Sequence, residues 1–130
     1  MTVIDIDKDN WDDFTDKEGL VVVEFWHEQC PWCKKLNPEF KAASEELQEK
    51  NGKEITYTRF NILESEENKK IAMSLGIMST PTILFFCHGR PVGMMMGYKP
   101  KEAIMQEISR VLKQSEECIN KSSPSMSFYA

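Results

Sequence analysis

Leu20-Val21-Val22-Val23-Glu24-Phe25-Trp26-His27-Glu28-Gln29-Cys30-Pro31-Trp32-Cys33 decides how the rest of this chain is read. From Leu20 to Trp26 every residue but Glu24 is apolar, the pattern of a strand covered on both faces and lying inside a sheet. Beyond the cysteines, Lys34-Lys35-Leu36 opens an amphipathic segment expected to reach about Lys50, with Leu36, Phe40, Ala43 and Leu47 on one face. Strand, turn and helix in that order place Cys30 at a helix N-terminus, where unpaired backbone N–H groups and the helix dipole favour a thiolate. Cys33, one turn further in, is the more shielded. Two thiols so placed close into a disulfide and reopen, which is dithiol–disulfide exchange. Pro31 suits the first helical turn, because the N–H it lacks would be orphaned there. Pro38 falls inside the helix and predicts a kink.

The remaining segments extend this unit on both sides. Val3 to Ile6 reads as a first strand, and Asp9 is expected to cap a helix through Trp11 and Phe14. Asn51-Gly52 is read as the end of the helix after the cysteines, and Ile55 to Ile62 as the next strand. Ser65 caps a helix with an acidic first turn, Glu66-Glu67, carrying Ile71, Ala72 and Leu75. Thr82 to Cys87 and Val92 to Met96 form a hairpin around His88-Gly89-Arg90-Pro91. A last helix from about Lys101 turns Ile104, Ile108, Val111, Leu112 and Ile119 inward. The order β-α-β-α-β-α-β-β-α predicts an α/β fold: a mixed central sheet of about five strands flanked by four helices. One domain over 1–118 and a disordered tail over 119–130 are expected.

Composition narrows the function classes. The 130 residues suffice for one domain with a real core. A net charge of −5, with Lys and Arg scattered among acids, argues against nucleic-acid binding. The N-terminus has no basic start followed by an apolar stretch, and no run approaches the roughly 18 apolar residues of a spanning helix. A soluble, cytoplasmic chain that does not enter membranes is expected, and in that setting the close cysteine pair reads as catalytic or metal-binding. As half of a zinc site the pair would need ligands from among His27, Cys87, His88 and Cys118, none of which forms a second close-spaced pair. Cys87 reads as a buried inert thiol, and Cys118 as an exposed one near the tail.

The element order, together with Glu24 to Cys33, Ser79-Thr80-Pro81-Thr82 and Gly97, resembles the thioredoxin family over about residues 2 to 115. The resemblance implies that Cys30 attacks and Cys33 resolves. It implies that Pro81 is cis and faces the cysteines, with Thr80 offering backbone hydrogen bonds to a bound peptide. Glu24 takes the place of the family's buried acid, and Trp26 that of the aromatic residue beneath the site. Pro-Trp between the cysteines departs from the usual Gly-Pro and is closer to the Pro-Tyr of glutaredoxins; the N-terminal strand and helix, and Tyr98 after Gly97, favour thioredoxins. The intervening pair tunes the redox potential, of which about 30 mV is already worth about 1.4 kcal/mol.

A protein-disulfide reductase is therefore expected. Glu24, its pKa raised by burial, exchanges protons with Cys33. Trp32, Met78, Ser79, Thr80, Pro81 and Gly97 border the substrate, while Trp26, Pro31 and Pro38 shape the site; Met94-Met95-Met96 flank the groove or fill the core. His27 lies near enough in sequence to tune Cys30. No cofactor or metal is expected, because nothing in the chain binds a flavin or nicotinamide. A separate reductase, NADPH- or ferredoxin-linked, or a glutathione system recharges the protein, which works as a monomer. The rival readings are a disulfide oxidase or isomerase, a glutaredoxin-like donor, and a metal- or partner-binding module without redox activity.

Overall fold

Period-two alternation along two buried strands sorts the core into two layers. In the computed structural model, which describes residues 3–120, β1 (Val3–Ile6), β2 (Leu20–Trp26), β4 (Lys53–Asn61), β5 (Thr82–Cys87) and β6 (Arg90–Met96) form a sheet in the order β1-β4-β2-β5-β6. β4 pairs in parallel with both β1 and β2, whereas β5 runs antiparallel to β2 and β6 antiparallel to β5. Leu20 and Val22 of β2, with Ile83 and Phe85 of β5, face α2 (Pro31–Glu46) and α4 (Lys101–Gln114), meeting Leu36, Phe40, Ile104 and Ile108. Val21, Val23 and Phe25, with Leu84 and Phe86, face α1 (Trp11–Thr15) and α3 (Glu66–Ser74). This is the thioredoxin fold expected above, a mixed sheet between helix layers.

The local rules account for most boundaries. Ser65 caps α3 by accepting from the Asn68 amide at 3.0 Å. α4 starts where the Lys101 amide donates to Glu39 Oε1 of α2 at 2.7 Å, so one helix caps the other. Gly93 lets α4 lie close on β6: a Cβ there would stand 2.9 Å from Val111 Cγ2 and 3.1 Å from a Phe85 ring carbon.

Several expectations need correction. α2 ends at Glu46 rather than near Lys50, because Asn51 and Gly52 both take positive φ and make a tight hairpin that pairs a short β3 (Glu49–Lys50) with β4. α1 starts after Asn10, whose Oδ1 accepts from the Asp7 amide, and not after Asp9. The last helical stretch breaks at Ser115, leaving α5 (Glu116–Ile119) as a separate turn, so the described residues hold six strands and five helices. Ile119 faces inward as expected and is buried in the α2/α4 layer, so the packed residues run past the boundary set at 118. The rest of the expected tail, 121–130, lies outside the described residues. Cys87 and Cys118 are not free thiols: they are bonded to each other.

Candidate active site

The register brings three chain ends together at one end of the sheet. Phe25 pairs with Thr82 and Thr82 with Met96, so β2 leaves the sheet beside the start of β5 and the end of β6. β2 runs on into Cys30; β5 is preceded by a cis Thr80–Pro81 bond; β6 is followed by Gly97. Gly97, at φ +84°, donates its N–H to the Pro81 carbonyl at 2.8 Å and so ties the two loops together. Trp32 reaches across to Tyr98, ring centroids 6.1 Å apart, and carries the Lys35 ammonium 4.8 Å above its face.

Cys30 is the N-cap of α2, with extended backbone, and Pro31 holds the first helical position. It is bonded to Cys33 with a Cα–Cα separation of 5.2 Å. Its Sγ also accepts from the Cys33 amide at 3.2 Å, and its carbonyl takes the Cys33 and Lys34 amides at 3.1 and 3.3 Å. A sulfur held by a backbone N–H at a helix start is placed where a thiolate is favoured once the bond opens. Cys30 is 5% and Cys33 2% exposed, so access from solvent is narrow at both. α2 is continuous as a helix through Pro38.

Glu24 lies on the α2 side of β2, in the same parity as Val22, and is fully buried. Its charged partner is Arg59. Glu24 pairs with Arg59 across the β2–β4 register, and Arg59 Nε donates to Glu24 Oε1 at 3.3 Å. The guanidinium stacks 4.0 Å over the Trp26 ring and lies 3.8 Å from Asp5. Glu24 Oε2 is buried and meets no donor among the described residues. Burial raises the carboxyl from 4.5 to about 7, outweighing Arg59's pull downward, with Asp5 adding slightly to the rise. A cavity of 380 Å³ opens beside this pair, lined by Trp26, His27, Cys33, Lys34, Asn37 and Arg59. Cys33, Arg59 and His27 thus line one cavity. Arg59 was the residue missed, although a lone cation in the apolar alternation Ile55, Tyr57, Arg59 signals a buried acid opposite.

Exposed apolar side chains stand on the cysteine turn, ahead of the Pro81 loop and at the end of β6. Trp32 is 55%, Met96 61% and Met78 92% exposed, while Met95 between its neighbours is core. The Ser79 carbonyl accepts from Thr82 Oγ1 at 2.8 Å, which fixes the turn before Pro81. Among the described residues no three His, Cys, Asp or Glu side chains gather as metal ligands.

A mixed sheet that carries a Cys-x-x-Cys disulfide at a helix start, with a cis X–Pro bond entering the neighbouring strand, defines a thiol–disulfide oxidoreductase. The family model for thioredoxin matches residues 2–110. Thioredoxin of Alicyclobacillus acidocaldarius is 34% identical over 93 residues, which are 72% of this chain and 82% of that protein. Thioredoxin of Bacillus subtilis is 33% identical over 95 residues, 73% of this chain and 85% of its own. Among solved structures, Malassezia sympodialis thioredoxin superposes with a TM-score of 0.70 at 25% identity, covering 83% of this chain and 89% of that one. The chain belongs to the thioredoxin family, and its activity is protein-disulfide reduction by dithiol exchange.

Proposed function

We propose that the Cys30 thiolate attacks a disulfide of another protein, forming a mixed disulfide and releasing that protein's second sulfur as a thiolate that takes up a proton. Cys33 then gives its proton to Glu24 and attacks the Cys30 sulfur. The Cys30–Cys33 bond forms as the bond from Cys30 to the substrate breaks, the departing sulfur takes up a proton, the substrate leaves as a dithiol, and two electrons have moved. The observation that carries this assignment is the position of Cys30 as N-cap, its sulfur held by the Cys33 amide. Glu24 suits the base role because an acid titrating at about 7 exchanges protons readily near neutrality.

The substrate lies across Trp32, Met78 and the Ser79-Thr80-Pro81 loop up to Gly97, with Thr80 supplying backbone hydrogen bonds. The exposure of Trp32 and Met78 next to the cysteine and proline loops supports this placement. The working unit is one domain and a monomer. It acts in the cytoplasm as an electron carrier for cell redox homeostasis, and an NADPH- or ferredoxin-linked reductase, or a glutathione system, returns it to the dithiol. No described helix is long and apolar enough to cross a membrane.

Insulin reduction driven by dithiothreitol tests the reading. Cys30→Ser is expected to abolish turnover, and reduced Cys33→Ser, freed of reductant and mixed with insulin, to accumulate a covalent adduct that dithiothreitol added afterwards releases. Turnover at the parent rate by either variant overturns it.

A further inference from the structure

The chain carries a second disulfide, and its place in the fold gives it a purpose of its own. Cys87 ends β5, fully buried in the α2/α4 layer, and bonds to half-buried Cys118 in α5, 31 residues later, with Cα atoms 6.4 Å apart. β5 enters the sheet beside Pro81 and leaves it at Cys87, so the two disulfides lie at opposite ends of that strand. At about 3.4 Å per residue its six residues separate them by roughly 17 Å. The Cys30–Cys33 dithiol of the same molecule therefore does not reach Cys118.

α5 is lightly held apart from this bond. Its backbone hydrogen bonds close locally, the Ile119 amide on the Ser115 carbonyl and the Asn120 amide on Glu116. Ile119 is its one fully buried side chain, and it packs into the same layer as Leu112. Ile119 and Asn120 are flanked on both sides by open space. One cavity of 520 Å³ lies toward α4 and the β3–β4 turn, lined by Leu112, Lys113 and Lys50; another of 370 Å³ lies toward Gly19 and Glu54. An element of one turn, anchored by one apolar side chain and bordered by cavities, opens at low cost once its covalent tie is cut.

We propose that Cys87–Cys118 is a second redox site, a latch that holds α5 against the end of β5 and is opened by dithiols from outside the molecule. The thiolate of an external dithiol attacks Cys118 Sγ, the more accessible sulfur. The Cys87–Cys118 bond breaks, and Cys87 leaves as a thiolate and takes up a proton. The second sulfur of the dithiol, losing its proton, then displaces Cys118, which leaves as a thiol while the external dithiol becomes a disulfide. Two electrons pass from the external dithiol to this pair, and Ile119 leaves its seat beside Leu112.

The test is independent of the exchange reaction at the other end of the sheet, because it uses the full chain carrying Cys30→Ser and Cys33→Ser. That protein is equilibrated with graded dithiothreitol, alkylated and weighed, and its isoleucine methyl signals are followed by NMR. Expected is one two-thiol transition, with Cys87 and Cys118 alkylated together. The Ile119 methyl moves to its free-chain position over the same range, while Ile83, Ile104 and Ile108 keep their folded positions. Adding Cys118→Ser is expected to give the free Ile119 signal without reductant. Three results overturn the proposal: two alkylatable thiols before reduction, an Ile119 signal that does not move when the bond opens, or loss of the Ile83, Ile104 and Ile108 signals together with it, which would make the bond a staple of the whole core.

Discussion

Replacing Glu24 with Gln keeps the shape of the side chain and removes its charge, and the structure sets the sign and size of the result. In the unfolded chain the carboxyl ionises near 4.5; in the fold, burial raises it to about 7. The folded state therefore binds the proton more tightly, and the stability this contributes is fully present below about pH 4.5 and lost as pH rises through 7. At about 1.4 kcal/mol per pKa unit, ionised Glu24 costs the fold about 3 kcal/mol at pH 8, of which roughly 2 to 3 kcal/mol accrues between pH 5 and pH 8. Gln carries no such cost, and Arg59 keeps Asp5 at 3.8 Å and the Trp26 ring as partners. Urea denaturation of the oxidised protein and of Glu24→Gln, run at pH 5, 6, 7 and 8, is expected to show the variant gaining on its parent by that amount as pH rises. Differencing the two proteins at each pH cancels every other titrating group. A difference that is flat with pH, or that falls, refutes the argument that Glu24 is a desolvated acid.

The same substitution is expected to slow mixed-disulfide resolution at pH 7, read by quenched-flow alkylation; an unchanged pH–rate profile counts against a proton-accepting role. Arg59→Met removes the cation that pulls Glu24 downward, so the carboxyl should titrate higher still and the alkaline rise in resolution rate should move up by about one pH unit. Met78→Glu is expected to lower kcat/KM for insulin roughly tenfold, about 1.4 kcal/mol of lost apolar contact, while leaving reduction of a small aromatic disulfide unaffected. Gly93→Ala forces a methyl to within 2.9 Å of Val111 and is expected to destabilise the fold by about 1–3 kcal/mol in urea.

What could be read in advance followed from short-range chemistry. A strand running into Cys-Pro-Trp-Cys, a Ser65 cap and the i, i+4 stripe of α4 each depend on neighbours in sequence, and the structure reproduces them. Asn51-Gly52 was visible too, but it fits a helix stop and a hairpin turn equally well. The choice fell to Glu49–Lys50 pairing with Lys53–Glu54, which two polar residues on each side do not advertise. Arg59 and the Cys87–Cys118 bond were harder for a different reason. Each is a contact between residues 31 or more apart, and it exists only because the sheet places β4 beside β2 and the C-terminal turn beside the end of β5.

Arg59 shows why such long-range placement matters to the chemistry. A carboxyl in solvent beside Cys33 would titrate near 4.5, too weak a base to hold a thiol proton near neutrality; one buried alone would not ionise there at all. Parallel pairing of β2 and β4 puts Glu24 and Arg59 in register on the face that α2 covers, so burial and the guanidinium act on one carboxyl in opposite directions and leave it at about 7. Trp26, stacked under the guanidinium, holds the cation over Glu24 Oε1 and leaves Oε2 without a donor, free to take a proton. In the proposed mechanism the working pH of the site is thus a property of strand register. A substitution that shifted β4 by one residue would turn Arg59 to the opposite face and, on the proposed mechanism, disable Glu24 as a base without touching either cysteine.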